Sequence, residues 1–164
     1  MRSAVLALLV MLAACGGPTP YGPADSDGLG YRETALDGRR YLISVAGNYE
    51  TPADRVTVFL LYRAAELADQ AGAFGFEVLR RDTESLTAYR SAKGGSILLG
   101  NDNPRYRDYP RAAASRAGYV YPVTRYRGEA EIRLIDDNDP AKGQANTYEA
   151  AELLARLGAT IGGR

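Results

Sequence analysis

The chain has 164 residues, with 20 basic and 20 acidic side chains, one Cys, 12 Tyr and neither His nor Trp. Without an imidazole or a second thiol, Ser-His-Asp, Cys-His and most metallohydrolase sites cannot be assembled, and no internal disulfide can form. A charged fraction of 24% and an apolar fraction of 46%, with no net charge, describe a soluble globular domain rather than a disordered or nucleic-acid-binding chain.

Residues 1–14 have the form of an export signal: Arg2 in a short basic start, an apolar run from Ala4 to Met11, and the small exit residues Ala13 and Ala14. As a helix, Ala4 to Ala14 would span about 16 Å against the roughly 30 Å of a bilayer core, too short for a mature membrane span. Leu12-Ala13-Ala14-Cys15 resembles the lipobox of bacterial lipoproteins, in which the signal is cut before the Cys and the Cys carries the lipid. Small Ala13 and Ala14 suit a protease cleft, and Cys15 supplies the thiol of a thioether. An ordinary signal peptide with a chance Cys is the plain alternative. The resemblance implies palmitate or a similar acyl group at Cys15 and permanent membrane attachment, since each buried methylene contributes about 0.8 kcal/mol. In bacterial lipoproteins an Asp after the Cys tends to hold the protein at the inner membrane, so Gly16 points to the periplasmic face of the outer membrane.

From Gly16 to Gly30, five Gly and three Pro in 15 residues leave little to bury. Residues 15–30 are expected to form the lipidated Cys and a flexible tether, with a span of about 20 Å and an extended limit of about 50 Å. Residues 31–164 then make one domain. Its first element reads as a β-hairpin, Tyr31–Leu36 and Arg39–Ala46, joined by Asp37-Gly38 as a two-residue type I′ turn, with Tyr41, Ile43 and Val45 on one face. Thr51-Pro52-Ala53-Asp54 reads as a helix start with Thr51 as N-cap, and the helix should reach Ala71 and stop at Gly72. Val56, Leu60, Leu61, Ala64, Ala65, Leu67, Ala68 and Ala71 share its apolar arc. Phe59 falls among polar neighbours, so either the tether or a loop covers it or it is a docking spot for a partner.

Phe74–Arg80 alternates as a third strand, and Glu129–Ile135 is the clearest half-buried strand, with Ala130, Ile132 and Leu134 inward. Tyr119–Tyr126 is expected to be its antiparallel neighbour, with Pro122 at an edge or bulge. Asn146-Thr-Tyr-Glu149 has the pattern of a capping box opening a helix over Thr147–Leu157, closed by Gly158. The sum is an α+β two-layer sandwich with a mainly antiparallel sheet.

Residues 86–128 read as a long irregular connection rich in Arg and Tyr. From Arg105 to Arg127 there are six Arg and one acid, Asp108. Arg105, Arg107, Tyr109 and Arg111 are candidate contacts for an anionic glycan or lipid headgroup, because guanidinium forks bind carboxylates and phosphates and Tyr rings stack on sugars. A connection in an Arg-preferring protein is the plain reading. Asp82 and Glu84 stand two apart at an expected strand end, where paired acids could act as acid and base, though strand-end charges making local ion pairs are the plain reading. Asp136-Asp137-Asn138-Asp139 fits a calcium loop in neither register. Gly94-Gly95-Ser96-Ile97-Leu98 lacks the final Gly of a nucleophile elbow, and no phosphate-binding Gly loop occurs. No catalytic residue, cofactor or metal is therefore expected, and an export signal argues against nucleic acid as ligand.

Gly30-Tyr31-Arg32-Glu33, Gly47-Asn48, the run Leu60-Leu61-Tyr62-Arg63-Ala64-Ala65-Glu66-Leu67, and Phe76-Glu77-Val78 followed by Arg81-Asp82-Thr83-Glu84 complete a second likeness. With the lipobox, they make the chain resemble small alphaproteobacterial lipoproteins of uncharacterised function. The resemblance covers roughly the first half of the chain, implies a shared fold and anchor, and carries no catalytic residues. The expected function is a non-enzymatic, lipid-anchored periplasmic module that holds an envelope protein or supports the envelope. Binding of an anionic ligand such as peptidoglycan or lipid headgroups is the second reading, and a carboxylate-based enzyme using Asp82 and Glu84 the third.

Overall fold

Ile43 and Val45 alternate on one strand and Ala130, Ile132 and Leu134 on another, and all five are buried with the apolar stripe Val56, Leu60, Ala64, Ala65 and Ala68 of one helix. The computed structural model of the chain describes residues 17–91, 96–100 and 120–162, and it has the α+β two-layer architecture that this patterning requires. In chain order the elements are β1 (Gly30–Ala35), β2 (Arg40–Ala46), α1 (Ala53–Gln70), β3 (Gly75–Ser91), β4 (Ser96–Gly100), β5 (Val120–Ile135), β6 (Thr147–Glu149) and α2 (Ala150–Gly162). The strands pair antiparallel in the order β1-β2-β5-β3-β4, and β6 joins β3 at Gly75–Glu77. Both helices join the core on the sheet face that carries Ile43, Phe76 and Ile132, with Ala150 and Leu153 as the buried residues of α2. A Cβ at Gly128 would lie 2.6 Å from Leu60 Cδ1 and 2.9 Å from Val56 Cγ1, so a glycine there lets α1 rest directly on β5.

The hairpin forms without the expected type I′ turn. Gly38 does not take a positive φ; instead Asp37 Oδ1 accepts the Arg39 and Arg40 amides and closes a longer connection over residues 36–39. Thr51 does not cap α1, because its hydroxyl is engaged elsewhere and Pro52 occupies the N-cap position. The helix ends at Gln70, and Gly72, at φ 65°, turns the chain into β3.

The largest departure lies in the strands. β3 does not stop at Arg80 but continues to Ser91 past a bulge between Val78 and Arg80, and the two strands expected around Gly128 are one continuous β5. These two long strands pair with each other from Gly75–Ile135 to Ser91–Val120. The irregular connection expected over 86–128 is thus strand wherever it is described. β2 covers β5 only from Arg127 to Arg133, which leaves Val120–Tyr126 with one edge free of a strand among the described residues, and Pro122 sits in this half. At the other end, the Asn146 side chain donates to Glu77 Oε1 and the Val78 carbonyl instead of capping a helix. Residues 147–149 are therefore strand, and α2 begins at Ala150 and runs through Gly158.

Residues 17–30 are not a loose tether but lie against α1 and β1. Thr19, 4% exposed, donates its amide to Thr51 Oγ1 at 2.7 Å and accepts the Asn48 amide on its own hydroxyl at 2.8 Å. The Tyr21 ring meets Phe59 edge-on at 5.3 Å, while its hydroxyl donates to Glu66 Oε2. Pro23 bridges to Tyr31. One aromatic ring and the Thr19 bonds to Thr51 and Asn48 dock a segment whose Gly and Pro content hides its capacity to bury. Phe59, at 1% exposure, is thereby covered and is not a partner contact.

Candidate functional site

Strand alternation places Arg80, Asp82 and Glu84 of β3 opposite Glu131, Glu129 and Arg127 of β5, all on the sheet face away from the helices. Asp82 and Glu129 are like charges directly across the ladder, an arrangement that works against pairing. Asp82 and Glu84 stand exposed in the middle of β3, not at a strand end, beside a shallow depression of about 160 Å³ that they share with Leu42 and Arg127.

A larger space opens where β2 stops. Gly47 donates its amide to the Tyr126 carbonyl at 2.9 Å and leads the chain away, leaving the edge of β5 without a paired strand among the described residues. The recess there, about 600 Å³, is lined by Arg32, Arg125 and Arg127, with Asp27, Glu84 and Leu86 among their neighbours. Arg125 and Arg127 share a face because they are two apart on one strand, and Arg32 joins them because β1 and β2 lie beside that part of β5. Among the described residues none of these three guanidinium groups has an ion-pair partner. At the rim Tyr49 presents its ring to Arg90 at 4.8 Å and to Arg125 at 5.9 Å.

Arg39, Arg63 and Arg133, by contrast, are held in ion pairs. Arg133 joins Glu77 at 2.8 Å to Asp139 at 2.7 Å, and Arg39 holds Asp136 at 2.7 Å. The side-chain bonds from Arg39 and Arg133 keep the Asp136 and Asp139 carboxyls below the usual Asp range. Lys142 takes Asp137, so the acidic turn is a set of ion pairs that tie β5 to its neighbours. For Arg63, burial opposes the charge, but bonds to Glu33 and Glu66 outweigh it and keep the group firmly protonated. Burial first, and the bond to Glu66 second, raise the Tyr21 phenol well above its ordinary value. Among the described residues no group of three or more His, Cys, Asp or Glu is placed to hold a metal ion.

Leu12, Ala13, Ala14 and Cys15 lie outside the described residues, as do Arg105, Arg107, Tyr109 and Arg111. Sequence reasoning missed Arg32, Tyr49 and Arg90, which come from three separate stretches and meet only through the strand order. Arg125 and Arg127 carried a usable signal in their i, i+2 spacing. No family model matches the chain, and no curated protein or solved structure matches it. Among the described residues no helix is long and apolar enough to cross a membrane.

Proposed function

We propose that the chain is a lipid-anchored envelope protein, held through acyl groups on Cys15 and facing the periplasm, that acts as a non-enzymatic binding module through the sheet face away from its helices. The lipobox and the likeness to small alphaproteobacterial lipoproteins support the anchor, and Gly16 after the Cys supports the outer membrane over the inner. The observation that carries the binding reading is the recess beside Gly47, where Arg32, Arg125 and Arg127 converge without ion-pair partners among the described residues. Paired-acid catalysis needs a general acid whose pKa is raised by an enclosed site. The exposed position of Asp82 and Glu84 beside a shallow depression favours binding over such chemistry.

In-cell photocrosslinking tests this reading. A crosslinking residue at Leu86, in the recess, should give discrete adducts that disappear in the Arg125→Glu, Arg127→Glu double variant, and one at Glu152 of α2 should not. Identical adducts from both positions would contradict a binding role for the recess. The recess also suits the carboxylates of peptidoglycan peptides. Salt-sensitive pelleting with purified sacculi, lost in the same double variant, would select that ligand.

A further inference from the structure

We infer that the basic recess is the membrane-facing end of the domain and holds anionic phospholipid headgroups of the bilayer that carries the Cys15 anchor. This rests on the lipoprotein reading above and adds an orientation and a ligand to it.

Asn48 Nδ2 donates to the Gly17 carbonyl at 2.7 Å, and two residues later Thr19 is buried and bonded to Asn48 and Thr51. The fold therefore holds the chain from Gly17 onward. Cys15 precedes Gly17 by two residues, at most about 7 Å of extended chain. An acyl group on Cys15 consequently leaves no slack, and whatever surrounds Asn48 rests at the headgroup level.

Asn48 lies between Gly47, which lines the recess, and Tyr49, whose ring has Arg90 and Arg125 over it. Tyr and Arg together suit a bilayer interface, where the ring sits at headgroup depth and the guanidinium groups meet phosphates. An anionic leaflet attracts each such cation within a Debye length. Arg32, Arg125 and Arg127 outnumber the recess carboxylates Asp27 and Glu84, Arg90 stands beside them over Tyr49, and none of the four arginines has an ion-pair partner among the described residues. The same groups could hold a soluble phosphate, but the short connection to the anchor favours the lipid source. The far end of α1 is distant from this surface: 17 residue steps along the helix separate Ala53 from Gln70, about 25 Å.

The lone Cys is consumed by the lipid, so an introduced Cys is the single free thiol of the acylated full-length protein. A fluorophore is attached at Glu50→Cys, beside Tyr49, or at Asp69→Cys, at the far end of α1, and each protein is reconstituted into vesicles whose headgroups carry a nitroxide quencher. In vesicles containing phosphatidylglycerol, quenching at position 50 should exceed that at 69 several-fold. It should fall about two-fold or more in phosphatidylcholine alone or when Arg90→Gln and Arg125→Gln are introduced together, while the short anchor keeps it above that at position 69. Equal quenching at the two positions of a palmitoylated protein would overturn the orientation, and a difference indifferent to lipid charge and to both arginines would overturn the headgroup site. A fall in quenching on adding soluble phosphate, with the difference between lipids abolished, would reassign the recess to a soluble anion. Recovery of the protein without palmitate would overturn the lipoprotein reading itself, and the inference with it.

Discussion

The Thr19 amide donates to Thr51 Oγ1 at 2.7 Å across 32 residues of sequence, and Thr51 in turn donates to Asn48 Oδ1 at 2.8 Å. One hydroxyl thus serves as acceptor for the N-terminal segment and donor to the loop before α1. That double use withdraws Thr51 from capping the helix and makes residues 17–21 part of the fold. Thr51→Val keeps the shape of the side chain but leaves the Thr19 amide buried and unpaired. The free energy of unfolding in urea should drop by about 1–3 kcal/mol. Thr51→Ser should restore most of it, and an unchanged midpoint for Thr51→Val would place the segment outside the cooperative unit.

Phe59 is 1% exposed beneath Tyr21, with the Arg55 guanidinium 5.5 Å from its ring centre. Phe59→Ala should reduce stability by about 3–5 kcal/mol, as truncation of a buried aromatic does. Calorimetry or denaturant titration checks this. A stable variant with wild-type unfolding would return Phe59 to the surface as a contact residue.

At alkaline pH the same contact predicts a specific weakness. The Tyr21 phenol is raised above its ordinary value of 10.0 by burial and by its bond to Glu66. A group whose folded pKa is raised contributes stability that is complete below the unfolded value and is lost as pH rises toward the folded one. Wild-type stability should therefore decline above pH 10 more steeply than that of Tyr21→Phe. Parallel pH profiles would show that the phenol is not enclosed in solution.

In acid the sign reverses. Asp139 lies below its ordinary value of 3.8 because of its bond from Arg133 and, next, from the Ala141 amide. Its contribution is present above 3.8 and fades as pH falls through the lower folded value. Acid titration of stability should show a shallower decline for Asp139→Asn than for wild type, and an equal slope would remove this ion pair from the acid response.

Where one face of an element is apolar and the other charged, the sequence was sufficient. Ile43 and Val45 in β2, Ala130 to Leu134 in β5 and the stripe of α1 are visible as periodicity, because burial demands it. The outer halves of β3 and β5 carry no such pattern: Arg81, Thr83 and Ser85 face one way and Arg80, Asp82 and Glu84 the other, polar on both sides. Their strand conformation comes from pairing with each other, which single-strand alternation cannot show. Thr19 and Tyr21 were hidden for a related reason, since their burial depends on Asn48, Thr51 and Phe59, far along the chain. The recess was half legible: the spacing of Arg125 and Arg127 puts both on one face, whereas Arg32, Tyr49 and Arg90 join them only once the strand order is known.

The central claim, attachment through Cys15, is tested most directly by metabolic labelling with palmitate followed by membrane fractionation of the wild type and of Cys15→Ser. The account predicts a labelled wild-type protein that stays with membranes through high salt and is released only by detergent, and an unlabelled Cys15→Ser variant. Equal label in the two proteins, or a wild type that carries no lipid, would contradict it.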